Sequence, residues 1–207
     1  MYKKLIQFVL LSAFIFSSFY CKDKDKAIDH YAKGIEYYSK KKLEKAIIEF
    51  SEAASADSSF LPPRLMKGKS EYYLGKYEDA LKTFQTIESD YPGNAASLTW
   101  IGKIYMLSSD KRTEAKKYLT LAVQYDDNQI DSHYYLGKLF EQEGNVKDAL
   151  IQYNHGIEIS KRVDKIKRDL VEIYKNAGLD YESLNKPSVT PVASSATSVK
   201  KESKKAK

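Results

Sequence analysis

The sequence predicts an all-α fold of stacked two-helix units, and three spacings predict it. Gly34, Gly68 and Gly102 stand 34 residues apart, and Gly137 follows after 35. Ala46, Ala80 and Ala149 each come 12 residues after a glycine, and Ala115 comes 13 after Gly102. Four residues past each alanine lies a large apolar side chain: Phe50, Phe84, Leu119 or Tyr153. A period of this length marks one supersecondary unit copied along the chain, each copy burying its apolar face on the next. No stretch alternates polar and apolar residues over a convincing length, so sheet is expected to be nearly absent.

The units divide as 27–60, 61–94, 95–129 and 130–163. In the first, a helix from Ala27 to Lys40 turns at Lys41–Lys42 into a second from Leu43 to Ala56. There Ala46, Ile47, Phe50, Ala53 and Ala54 make one apolar stripe at helical spacing. The second unit has the clearest turn, Leu74-Gly75-Lys76-Tyr77. It ends on Asp90-Tyr91-Pro92-Gly93-Asn94, a stop signal because proline and glycine continue a helix poorly. The third carries one extra residue in its Ser108–Thr113 turn. The glycine of each first helix and the alanine of each second are expected to let two backbones approach closely. After the units, residues 164–178 read as a capping helix. Ile166, Leu170, Ile173, Tyr174 and Ala177 lie on one face, Lys165, Lys167, Arg168 and Glu172 on the other, and Gly178 is the stop.

This pattern resembles the tetratricopeptide repeat family. The fourth unit matches its motif with Leu136, Gly137, Phe140, Gly144, Ala149 and Tyr153, and the third with Leu98, Ile101, Gly102, Tyr105, Ala115, Leu119 and Ala122. The first two depart from it: Lys33 and Lys67 stand where an apolar residue is usual, and Glu71 replaces an aromatic. The resemblance implies a right-handed superhelical solenoid whose first helices line a groove.

The net charge of +6 is unevenly placed. Residues 187–207 contribute +4, Lys3 and Lys4 +2, and residues 22–26 +1, which leaves −1 for everything else. A nearly neutral repeat body argues against nucleic acid as a partner, since that calls for a basic stripe on the fold itself. The segment from 179 reads as a disordered basic tail. It is rich in Ser, Thr, Pro and Ala from Pro187 and ends on a lysine cluster.

Residues 1–21 read as an export segment: Lys3 and Lys4, then an apolar stretch from Leu5 to Phe19, then the single cysteine, Cys21. A lone cysteine in that place resembles the lipidation site of bacterial lipoproteins, although Tyr20 stands where a small residue is usual. An uncleaved membrane helix and ordinary cleavage near Ser17 or Ser18 stay open beside it. All three put the repeats outside the cytoplasmic membrane, on the periplasmic or outer-membrane side. The run 22–26, with no apolar residue, reads as a charged tether.

No catalytic pattern is legible. His30 and His133 hold the same place in units one and four, which argues for packing, and no His-x-x-x-His or Glu-x-x-His pair appears. With one cysteine, neither a disulfide within the chain nor a thiolate zinc site is possible. No cofactor, metal or small-molecule substrate is assigned. An enzyme or accessory protein acting on envelope polymers would need a recurrent acidic or histidine pair, and the sequence holds none.

The resemblance maps a groove onto Ile28, Tyr31, Ile35 and Tyr38; Pro62, Leu65, Lys69 and Tyr72; Ala96, Thr99, Lys103 and Met106; and Asp131, Tyr134, Lys138 and Glu141. Lys69, Lys103 and Lys138 recur at one position and predict a positive ladder among tyrosines, suited to an extended or helical partner with carboxylates. The family's clamp for terminal carboxylates uses asparagine where this chain has Ile35 and the three lysines, so that specificity is not carried over. Tyrosines come in pairs, Tyr37-Tyr38, Tyr72-Tyr73 and Tyr134-Tyr135, of which one member is expected to pack and the other to face elsewhere. The expected function is a non-catalytic protein-interaction scaffold anchored in the bacterial cell envelope. Self-association, with one array accepting a neighbour's cap, is the alternative.

Overall fold

The structure, a computed structural model, describes residues 23–178. The chain divides into two compact units between Lys161 and Arg162. The first holds helix pairs α1 (Lys24–Ser39) and α2 (Leu43–Ala56), α3 (Leu61–Tyr73) and α4 (Tyr77–Asp90), α5 (Ala95–Tyr105) and α6 (Arg112–Tyr125), then α7 (Ile130–Gln142) and the first part of α8 (Val146–Asn176). A short 3₁₀ turn, Ser109–Lys111, absorbs the extra residue of the third pair. No strand occurs among the described residues. The expected export segment 1–21 with Cys21, and the expected tail from 179, lie outside them.

The helix ends follow local chemistry. Pro62 and Pro63 occupy the first turn of α3, where their missing N–H groups are no loss. Asn94 caps α5 by accepting from the Ser97 N–H at 2.9 Å. Gly75 and Gly144 turn between paired helices at φ +82° and +75°. The equivalent residue of the first pair is Lys41, held at φ 56°.

Each glycine of the period faces the large residue 16 or 17 positions on. A Cβ at Gly68 would lie 2.7 Å from Phe84, one at Gly102 2.6 Å from Leu119, and one at Gly137 2.7 Å from Tyr153; Gly34 faces Phe50 in the same way. The expectation of close approach is met with a refinement. The glycine makes room chiefly for the ring or isobutyl group of its partner helix. Phe50, Phe84 and Leu119 are fully buried there, as are Ala46, Ala80 and Ala115.

The polar departures in the second repeat also find a reason. Lys67 Nζ pairs with Glu71 Oε1 at 2.9 Å, and Thr83 Oγ1 donates to Glu71 Oε2 at 2.7 Å. Glu71 is buried, and this triad takes the place of an apolar contact between α3 and α4.

Two expected boundaries differ. Of the expected tether 22–26, residues 23–26 are not free, because Asp23 Oδ1 accepts from the Lys26 N–H at 3.0 Å and α1 starts at Lys24. Nor does a separate capping helix begin at Asp164, since α8 runs unbroken from Val146 to Asn176. Between Gly156 and Gly178 the chain has neither proline nor glycine to stop it. The second unit, over its described residues 162–178, is the end of that helix and the Gly178 turn. Its Val163, Ile166, Leu170 and Ile173 are exposed.

Candidate functional site

The first helices of the repeats present two groups of rings, one from Tyr38 to Trp100 and one on α7. Tyr38 on α1 lies 6.4 Å from Tyr73 on α3, and Tyr73 lies 5.9 Å from Trp100 on α5. Tyr72 meets Trp100 edge-on at 5.2 Å, and Trp100 stacks on Phe84 at 5.6 Å with an 8° tilt. On α7, Tyr134 and Tyr135 pack at 5.1 Å. Tyr134 in turn stands 6.2 Å from Tyr153 of α8.

Lys103 bridges the two groups. Its Nζ stands 4.2 Å from the centroid of Trp100, 4.6 Å from Tyr72, 4.8 Å from Tyr135 and 5.4 Å from Tyr73. Ring faces are negative and attract the ammonium. Burial holds the Lys103 amine below the usual lysine range, with Tyr73 and Asp131 pulling the other way. Lys69 lies above the same indole at 5.7 Å. Half-buried Tyr72 and Tyr135 have raised phenol pKa values, with burial as the first cause.

The expected lysine ladder is therefore uneven. Lys103 is enclosed by rings, and Lys138 is spent on Glu141 at 3.4 Å. Glu141 also accepts from Tyr153 Oη at 2.8 Å. Burial, then that bond, pushes Tyr153 up to about 12. Thr99 does not line a groove, being buried with its Oγ1 2.7 Å from both Ala95 O and Ser132 Oγ. Leu65 and Met106 pack on the two core clusters, and Tyr31 packs on Phe50 and Phe60 at 5.9 and 5.2 Å. Ile35, Tyr73 and Tyr134 remain exposed on the first helices.

Two groups escaped the sequence reading. Tyr73, Trp100 and Tyr135 sit one residue beyond mapped groove positions, and the doubled tyrosines were the signal that could have found two of them. Both members of the second and third pairs stay among these rings: Tyr72 and Tyr135 pack while Tyr73 and Tyr134 face water; of the first pair, Tyr38 joins them. Asp127, His133 and His155 also converge. They are 6 and 22 residues apart, a spacing that no local motif announces.

Residues 65–130 match the model of the tetratricopeptide repeat family. Residues 65–130 are thus a tetratricopeptide-repeat segment, and the fold of the described residues is a tetratricopeptide-type solenoid. Solved tetratricopeptide proteins share its fold. TTC0263, a thermophilic protein of Thermus thermophilus, is 15% identical over 73% of this chain and 83% of its own, with a TM-score of 0.58. MamA of Desulfovibrio magneticus RS-1, from residue 41 to its end, is 18% identical over 68% of this chain and 78% of its own, TM-score 0.55. The first repeat domain of Spaghetti (RPAP3), bound to the HSP90 peptide SRMEEVD, is 19% identical over 59% of this chain and 96% of its own, TM-score 0.53. At these identities the likeness is one of fold.

Proposed function

We propose that this tetratricopeptide array is a non-catalytic scaffold holding an extended segment of a partner protein along its first-helix face. One observation carries the reading: the two groups of rings from Tyr38 to Tyr134, with Lys103 set between them. Exposed tyrosines offer contact area at small entropic cost, and a cation in a half-buried, low-dielectric setting rewards a carboxylate more than a solvated lysine does. The preferred segment therefore carries apolar side chains around an acidic one. The Spaghetti domain, with its peptide SRMEEVD, is a protein of this fold holding such a segment.

Residues 1–21 support a place for the scaffold in the bacterial cell envelope, exported and anchored through lipid on Cys21. Anchoring concentrates the array at the membrane, where a weak groove suffices to hold a partner. Among the described residues no helix is long and apolar enough to cross a membrane. Cys21→Ala should release the protein from washed membranes; retention through a high-salt wash would remove the lipid.

Trp100 is the only tryptophan in the chain and touches Lys103, so its fluorescence reports on the face. Peptides with one or two carboxylates amid apolar residues should change its emission saturably, and Lys103→Gln should weaken them while sparing uncharged analogues. Equal loss for both peptide classes, or no saturable change, would refute an acid-reading face.

A second reading has its own observation. Val163, Ile166, Leu170 and Ile173 follow at 3, 4 and 3 residues and are exposed. That is the spacing of a coiled-coil seam, which favours pairing of two copies along this helix. Light scattering should then show a dimer that Ile166→Lys dissociates, and a monomeric parent chain would discard it.

A further inference from the structure

Asp127 lies in the link between α6 and α7, His133 in the first turn of α7, and His155 on α8. One ligand atom from each falls within 4.8 Å of the others. His155 Nε2 is 2.9 Å from Asp127 Oδ2, and His133 Nε2 is 3.4 Å from Asp127 Oδ1. The two imidazole centroids are 4.4 Å apart.

The buried histidine is oriented from behind. His133 is 2% exposed, and its Nδ1 lies 2.8 Å from Gln152 Oε1. With Nδ1–H donating to that oxygen, the Nε2 lone pair faces the Asp127 carbonyl oxygen at 2.9 Å and the Asp127 carboxylate. In that tautomer the nitrogen and the Asp127 oxygens turn lone pairs toward one another, as donor atoms do around a cation. The two rings are tilted 39° to one another, and each turns its Nε2 to the Asp127 carboxylate. One divalent ion there would accept both nitrogen lone pairs and neutralise the carboxylate.

We propose that His133 Nε2, His155 Nε2 and the Asp127 carboxylate bind a zinc-class divalent ion, with water completing the set. Metal–ligand bonds of about 2.0–2.1 Å in a tetrahedron put neighbouring ligand atoms about 3.3 Å apart. His155 Nε2 stands 2.9 Å from Oδ2 and His133 Nε2 3.4 Å from Oδ1, both near that spacing, and a small turn of the carboxylate presents one oxygen to both nitrogens. Two imidazoles with one carboxylate suit zinc, nickel or copper over magnesium or calcium. The Gln152 contact supplies the outer hydrogen bond that fixes a ligating histidine's tautomer. This is not a general property of the repeat. In the first repeat His30 Nδ1 contacts Glu49 Oε2 at 2.7 Å, but Lys24 and Glu52 occupy the places of Asp127 and His155. The ion ties the link before α7 to both helices of the last repeat and stiffens it against opening.

The full chain, stripped with a chelator, is titrated with cobalt chloride and then zinc chloride. One equivalent of cobalt should give visible d–d bands that zinc abolishes, and one equivalent of zinc should raise the melting temperature. Asp127→Ala alters an exposed side chain and His155→Ala a half-buried one, and helical content by circular dichroism checks that both variants fold. Each should weaken binding by about tenfold or more and remove the thermal shift, while His30→Ala changes neither. Absence of saturable binding up to millimolar metal would overturn the proposal. So would binding that both variants leave intact, which would place the ion elsewhere, for example at Cys21.

Discussion

The ammonium of Lys103 sits 4.2 Å from the centroid of the Trp100 ring, with three tyrosine rings within 5.4 Å of the same nitrogen. A single cation thus joins α3, α5 and α7 across three repeats. Each such contact contributes about 0.5–2 kcal/mol, partly offset by withdrawing the amine from water. Lys103→Ala should therefore destabilise the array by about 1–2 kcal/mol, and water entering the vacated space should shift Trp100 emission to the red. Unchanged stability and unchanged emission together would show that the cage is incidental.

Glu71 and Lys67 form a pair buried at one end only. Removing Lys67 strands a carboxylate away from water, with Thr83 as its remaining partner. Lys67→Ala is expected to cost about 2 kcal/mol, below the range for a wholly buried pair because Lys67 is partly exposed. A double change to Lys67→Ala with Glu71→Ala should cost less than the sum of the singles. Additive losses in denaturant melts would mean that the two side chains act independently.

Backbone strain is concentrated at the turn of the first repeat. Lys41 adopts the left-handed conformation that Gly75 and Gly144 adopt at the matching places. That conformation costs a non-glycine residue about 1–2 kcal/mol, against about 0.5–1 kcal/mol of extra chain entropy for glycine. Lys41→Gly should stabilise by up to about 1 kcal/mol. Gly75→Ala should destabilise by about 1 kcal/mol, although a Cβ there meets nothing within 4 Å. A fall in melting temperature for Lys41→Gly would contradict the strain.

Alkaline pH should unfold the array. Tyr31, Tyr38, Tyr72, Tyr135 and Tyr153 all have raised phenol pKa values, burial being the first cause in each. Their contribution is complete below the unfolded value of about 10 and is lost as pH rises through the folded values. Lys103 acts in the opposite sense. Its depressed pKa makes the fold relatively more stable as pH rises toward the ordinary lysine value, but it is one group against five. Chemical denaturation between pH 8 and 11 should show stability falling above about pH 10. A flat or rising profile would contradict the burial of these rings.

Much of this fold was readable because one steric relation is written into the chain at a fixed stride. Gly68 faces Phe84 as Gly102 faces Leu119, and neither partner tolerates an added Cβ. A Gly68→Ala variant should lose about 1–3 kcal/mol, with part recovered by adding Phe84→Leu. The site was legible only in part. Spacing places Lys103 and Tyr72 on one face, yet it does not say that Thr99 turns inward to Ser132 or that Trp100 turns toward Lys103. Side-chain direction depends on what the neighbouring repeat offers, and that is a contact between residues far apart in sequence. The start of α1 was missed because Asp23 sits in a run whose alternating charges hide a helix cap. Likewise Asp127, His133 and His155 belong to three elements, so no window of sequence contains their meeting.

The most direct test is site-specific photo-crosslinking in intact cells. A photoreactive residue is placed at Tyr73 or Tyr134 on the first-helix face, and at Lys82 or Lys117 on second helices. Defined partner adducts should form from Tyr73 and Tyr134 and disappear in a Lys103→Gln background. Adducts arising equally from all four positions, or only from Lys82 and Lys117, would contradict a scaffold that holds its partner along the first helices.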